Sequence, residues 1–131
     1  MASIFTQIIE GKLPCYKLFE NEFVISFLTI DPIQLGHSLV VPKIEVNHII
    51  DVEEPYYLEV FKAAKPISRA IFRATGCKRI GSLVQGFEVP HFHYHLVPMY
   101  DPSDLSFSKA KRRSDDEMQR IHQAILQELK K

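Results

Sequence analysis

The chain has 131 residues, enough for about one domain around a single buried core. Its 16 basic and 16 acidic side chains cancel, so no net field draws it to nucleic acid or to an anionic membrane surface. No apolar run approaches the roughly 20 residues needed to span a bilayer, and Cys15 and Cys77, outside any Cys-x-x-Cys pair and without a signal peptide, fit a reducing cytoplasm.

Ser3 is placed to cap a short helix in which Ile4, Phe5, Ile8 and Ile9 share a face, ended by Gly11. Two apolar-rich runs, Tyr16 to Glu20 and Phe23 to Thr29, are divided by Asn21-Glu22 and read as a hairpin. Asp31-Pro32 breaks the second run, and a third strand is expected from His37 to Val41, before Pro42. From about Glu54 the residues Tyr57, Val60, Phe61, Ala64, Ile67 and Ile71 recur at helical spacing until Gly76, with a kink expected at Pro66. Strands are expected over Arg79–Gln85 and His91–Val97. The cluster Lys109, Lys111, Arg112 and Arg113 reads as a solvated segment, with a phosphate-attracting rim as the alternative. Ser114-Asp115-Asp116-Glu117 is a capping box that opens a last helix, about 114–130, with Met118, Ile121, Ile125 and Leu129 on its packed side. His48 and His122 lie in polar surroundings and are expected to face solvent. Five strands joined largely by short turns predict an α+β fold: a five-stranded antiparallel sheet, one long crossover helix, a short N-terminal helix and a C-terminal helix.

Half of the six histidines stand at alternate positions in His91-Phe92-His93-Tyr94-His95-Leu96-Val97. Strand alternation sends His91, His93 and His95 to one face and Phe92, Tyr94 and Leu96 to the other. A lone strand histidine is usually packed and hydrogen-bonded, but three imidazoles spaced roughly 6.5 to 7 Å apart would repel if charged and need another explanation. Shared metal ligation is one, since neutral imidazole suits zinc, copper, iron and nickel, although neither cysteine assists. Nucleophilic catalysis is the other, with phosphorus as the natural electrophile because a phosphorylated histidine is readily hydrolysed.

The run resembles the histidine triad signature of the HIT family, His-φ-His-φ-His-φ-φ with φ apolar. Ser3–Pro14, Phe19–Phe23 and Gly36–Lys43 resemble the same family in order and spacing, so the likeness covers most of residues 3–100. It implies one HIT domain over residues 1–131, normally a homodimer built through the long helix and the strand before the triad. It also implies a hydrolase acting at the α-phosphate of nucleoside phosphoramidates, nucleotidyl esters or dinucleoside polyphosphates, without metal or cofactor. His93 would attack phosphorus and carry a nucleotidyl-histidine intermediate; His91 and His95 would flank the phosphate, and His37 would join from another strand. His95 is glutamine in the uridylyltransferase relatives, which points to the hydrolases. A purine nucleotide or conjugate would contact Phe5, Ile8, Phe27, Thr29, Ile30, Gln85 and Glu88.

Three departures from the family pattern limit how much detail the resemblance carries over. Thr29 replaces the acidic residue that holds the ribose, with Asp31 close by; the loop Gln85–Pro90 is short and carries Phe87 and Glu88 where polar donors are expected. Glu88 is read as a general acid, as an electrostatic veto on long polyphosphates, or as a solvent-facing side chain. Glu45 takes the place of a histidine after Pro42-Lys43, with no bearing on a catalytic step. Two further readings stand beside hydrolysis: a nucleotide-binding module with little turnover, and a metal-dependent hydrolase using the histidine row.

Overall fold

The computed structural model describes residues 2–131. Strands β1 Lys17–Glu20, β2 Val24–Leu28, β3 Ser38–Pro42, β4 Arg79–Leu83 and β5 Tyr94–Met99 form one sheet in the order β1-β2-β3-β5-β4. Helices α1 Ile4–Ile9, α2 Tyr56–Thr75 and α3 Asp115–Leu129 pack around it, and short 3-10 turns occupy 49–51, 102–104 and 107–109. No helix among the described residues is long and apolar enough to cross a membrane. The α+β architecture read from the sequence is the one found.

Every neighbouring pair in the sheet is antiparallel. Because β5 lies antiparallel to both β3 and β4, those two run parallel with β5 inserted between them. Parallel strands cannot be joined by a tight turn, so the connection must be a crossover, and α2 supplies it. Its buried residues Val60, Ala63, Ala64, Ile67, Ala70 and Ile71 recur at three- and four-residue spacing and meet Leu18, Val24, Val40 and Leu96 of the sheet. Pro66 stands inside α2 without ending it; Gly76 ends it, at φ 68.

Local chemistry explains the connections. Asn21 Oδ1 accepts from the N–H groups of Phe23 and Val24, both at 2.9 Å, and so turns β1 into β2. At α3 the capping box is complete: Ser114 Oγ accepts from Glu117 N–H at 3.1 Å and Glu117 Oε1 from Ser114 N–H at 3.2 Å. Met118 and Ile125 are buried against the core shared with α2.

The structure corrects four details. β5 begins at Tyr94 rather than His91, because His91 N–H is committed to Val89 O and Phe92 N–H to Val46 O, leaving the ladder with β3 to start at Val40–Tyr94. β4 ends at Leu83, opposite His95, rather than at Gln85. In α1 only Phe5 is buried while Ile4 is 53% exposed, since adjacent helical residues point about 100° apart and a two-turn helix offers one narrow contact. His122 does not stand free in solvent. One ring nitrogen donates to Lys17 O at 2.7 Å and the ring meets Tyr16 edge-on, which ties α3 to β1. His48 is exposed as expected.

Alternation fixes which face carries chemistry. Leu28, Val40, Phe92 and Leu96 point to the α2 side, whereas Phe27, Leu39 and His95, aligned across β2, β3 and β5 by register, point to the side covered by α1. Gly36 leads into that face at φ +104, and a Cβ there would stand 3.2 Å from Thr75 Cγ2. Gly36→Ala is expected to destabilise the fold by roughly 1–3 kcal/mol, read from the urea midpoint; an unchanged midpoint would show that this backbone tolerates a side chain.

Candidate active site

Each triad imidazole is fixed by a different partner, and the partners decide where every proton sits. His91 is fully buried; its Nε2–H donates to Pro42 O at 2.9 Å and its Nδ1 accepts from Ser3 Oγ at 2.8 Å. Neither nitrogen faces a cavity. His93 donates Nδ1–H to His91 O at 2.7 Å, which places the lone pair of the neutral ring on Nε2.

His37 comes from the loop before β3. Ile33 N–H donates to its Nδ1 at 3.0 Å, so its proton is on Nε2 and is donated to His95 Nδ1 at 2.9 Å. By the same logic His95 carries its proton on Nε2. A backbone amide thus sets the tautomers of two rings in succession.

Burial keeps these rings neutral. Desolvation pushes His37 down from 6.5 to about 4, with His93 nearby adding to the shift. Desolvation also pushes His95 down to about 3, assisted by His37 and His93. His91 and His93 are lowered by the same cause, partly offset by their hydrogen bonds to backbone carbonyls. Rings that do not charge can crowd, and the His93 and His95 centroids lie only 4.8 Å apart.

Aromatic walls hold the rings in place. Phe5 of α1 meets His93 edge-on at 4.9 Å and His91 at 5.8 Å, while Phe107 meets His95 at 5.1 Å. Two cavities share His93, His95, Glu88 and Phe107. The larger, about 770 Å³, is lined by Phe5, Ile8, Phe27, Thr29, Ile30 and Asp31, and His37 reaches it. The smaller, about 110 Å³, is closed by Gln85, Gly86 and Phe87. The structure therefore brings together His37, His93 and His95 with every candidate binding residue except Gln85 in the large cleft. Gln85 lines only the small pocket, and His91 lines neither.

Thr6 and Phe107 have no role in the sequence reading, Ser3 appears there only as a helix cap, and Glu45 only as the residue in place of a histidine. Glu45 Oε1 accepts from Ser3 N–H at 2.7 Å and from Thr6 Oγ1 at 2.6 Å, while Ser3 Oγ also takes Thr6 N–H at 3.0 Å. This clamp fastens α1 to His91, so Glu45 does bear on the site by holding α1 against it. The only sequence signal was Ser3 as a helix cap; its second partner lies 88 residues away.

Among the described residues no group of three or more His, Cys, Asp or Glu side chains is placed to hold a metal ion. His37 and His91 have both ring nitrogens committed within the protein. These residues do not fit a metal centre.

The HIT domain model matches residues 10–101. The chain is 31% identical over 135 residues to the protein hit of Bacillus subtilis, covering 96% of this chain and 93% of that protein. It is 29% identical over 131 residues to an adenosine 5'-monophosphoramidase of Saccharomyces cerevisiae, covering 98% and 83%. A hypothetical histidine triad nucleotide-binding protein of Sulfolobus tokodaii superposes with a TM-score of 0.84 at 25% identity, over 96% of this chain and 91% of that one. Three alternating histidines leading into β5 of a five-stranded sheet, a crossover helix between β3 and β4, and the match to that model over residues 10–101 place the chain in the HIT family.

Proposed function

We propose that this protein is a nucleotide-binding hydrolase that cleaves nucleoside phosphoramidates or nucleotidyl esters at the α-phosphate, with His93 as nucleophile. The observation that carries the reading is the Nδ1–H bond from His93 to His91 O, at the junction of the two cavities. It leaves Nε2 basic and oriented, the state an attacking imidazole requires. The nucleoside occupies the large cleft, its purine between Phe5, Ile8, Phe27 and Ile30 and its ribose at Thr29 and Asp31. The leaving group occupies the small pocket by Gln85 and Glu88.

His93 Nε2 bonds to phosphorus as the phosphorus–nitrogen or phosphorus–oxygen bond to the leaving group breaks. The leaving group departs with the bonding electron pair and takes up a proton from solvent. Water then cleaves the nucleotidyl-histidine, giving the nucleoside monophosphate, neutral His93 and a proton returned to solvent. His95 Nε2–H donates to a phosphate oxygen, and His37 keeps that proton in place. His91 acts through position, since its carbonyl orients His93. Glu88 disfavours a polyphosphate leaving group by like charge. The name of the yeast relative, an adenosine 5'-monophosphoramidase, fits this reading. α3 belongs to the same domain, a second copy docks through the edge strand β4 and the adjoining face of α2, and Cys15 and Cys77, both free thiols, suit a reducing cytoplasm.

The test is intact-mass spectrometry of rapidly quenched mixtures with an adenosine phosphoramidate. A protein species heavier by one adenylyl group, lost on standing and mapped to His93, is expected. Turnover that EDTA abolishes, or an adduct on another residue, would sink the mechanism. Nucleotide binding with neither adduct nor product would leave the binding-module reading.

A further inference from the structure

The candidate site has no positive charge of its own, because its imidazoles are held neutral by burial and by their hydrogen bonds. It offers a phosphate only neutral hydrogen-bond donors, so a cation beside it would strengthen the hold on that charge. The segment 100–113, after β5, forms a strap that contributes Phe107, Ala110 and Lys111 to the wall of the large cleft. Its anchor is the buried Asp104 carboxylate, which accepts from Tyr100 N–H at 2.7 Å, Asp101 N–H at 3.0 Å and Lys109 Nζ at 3.0 Å. Further on, Lys111 N–H donates to Pro32 O at 3.2 Å and fixes the strap to the opposite rim.

Four basic side chains lie on this strap, and three are neutralised. Lys109 pairs with Asp104, Arg112 with Asp31 at 3.1 Å and Arg113 with Glu117 at 3.5 Å. Among the described residues Lys111 has no ion-pair partner, and it is the one cation lining the cleft. The other charged groups facing that cleft are Asp31, already held by Arg112, and Glu88 on the far wall. The cleft is thus polarised, positive on the strap and negative on the Gln85–Pro90 loop, with His93 and His95 between.

We propose that Lys111 is a substrate-binding residue that supplies the positive charge for the nucleotide's phosphate. This rests on the nucleotide reading given above. The strap is then part of the binding site, and the basic run does more than keep a surface segment solvated.

Calorimetric titration of the full chain with AMP and with adenosine separates the two readings. The wild type should prefer AMP, and Lys111→Met should weaken AMP by about tenfold with adenosine unchanged, while Lys111→Arg keeps the preference. Raising salt should weaken AMP binding in the wild type far more than in Lys111→Met. AMP binding equal in wild type and Lys111→Met overturns the proposal, as does an equal loss for AMP and adenosine, which would mark a wall defect. A wild type that binds neither ligand overturns the nucleotide reading and the role of Lys111 together.

Discussion

His93→Ala is expected to lower kcat on an adenosine phosphoramidate by at least about a thousandfold, some 4 kcal/mol of transition-state stabilisation. The size follows from removing the atom that bonds to phosphorus, for which no neighbouring ring can substitute. His91 is buried with both nitrogens engaged, and the His95 nitrogen facing away from His37 carries a proton. The variant should still fold. His93 lies against the rings of Phe5 and His95 at a cavity wall, and only its Nδ1–H bond to a local carbonyl is lost. AMP affinity within a few-fold of wild type would confirm that the cleft survives, and pre-steady-state traces should lose their burst. Turnover within tenfold of wild type would end the nucleophile assignment and return attention to direct attack by water.

Where the fold and the site could be read in advance, the physics was local. Period-two alternation separates Phe92, Tyr94 and Leu96 from the three histidines even though β5 begins only at Tyr94, because an extended chain alternates whether or not its N–H groups have ladder partners. The α3 capping box closes within four residues, so it was visible as well. The clamp on His91 was not. Its hydrogen bonds join residues 42 and 88 positions apart, and nothing at Ser3 or Glu45 alone announces them. The pairing of charges along the strap is only partly local. Lys109, Lys111, Arg112 and Arg113 look alike as neighbours; Asp104 and Glu117 lie within five residues of the Lys109 and Arg113 they hold, whereas Asp31, which holds Arg112, is 81 residues away. His122 was misplaced because its acceptor is a β1 carbonyl 105 residues away.

Acid is expected to loosen this protein well before its carboxylates titrate. His37 and His95 have folded pKa values of about 4 and about 3 against an ordinary 6.5, so below pH 6.5 the unfolded chain binds protons that the folded one refuses. Stability is therefore greatest above pH 6.5 and declines as pH falls toward the folded values. Between pH 7.5 and 5 each ring removes about 2 kcal/mol, so the pair costs on the order of 4 kcal/mol in a window where Asp and Glu remain largely ionised. The carboxylates that hydrogen bonds hold low, among them Glu45 beside Ser3 and Thr6 and Asp104 beside Tyr100 and Lys109, add their own losses only at lower pH. Urea midpoints collected from pH 7.5 to 5 measure the slope. His37→Asn keeps an acceptor for Ile33 N–H and removes one titrating ring, so its slope over this window should be shallower than the wild type's. A wild-type midpoint that stays level down to pH 5 would mean that the paired rings take up a proton in the folded state. The neutral relay from Ile33 through His37 to His95 would then be wrong.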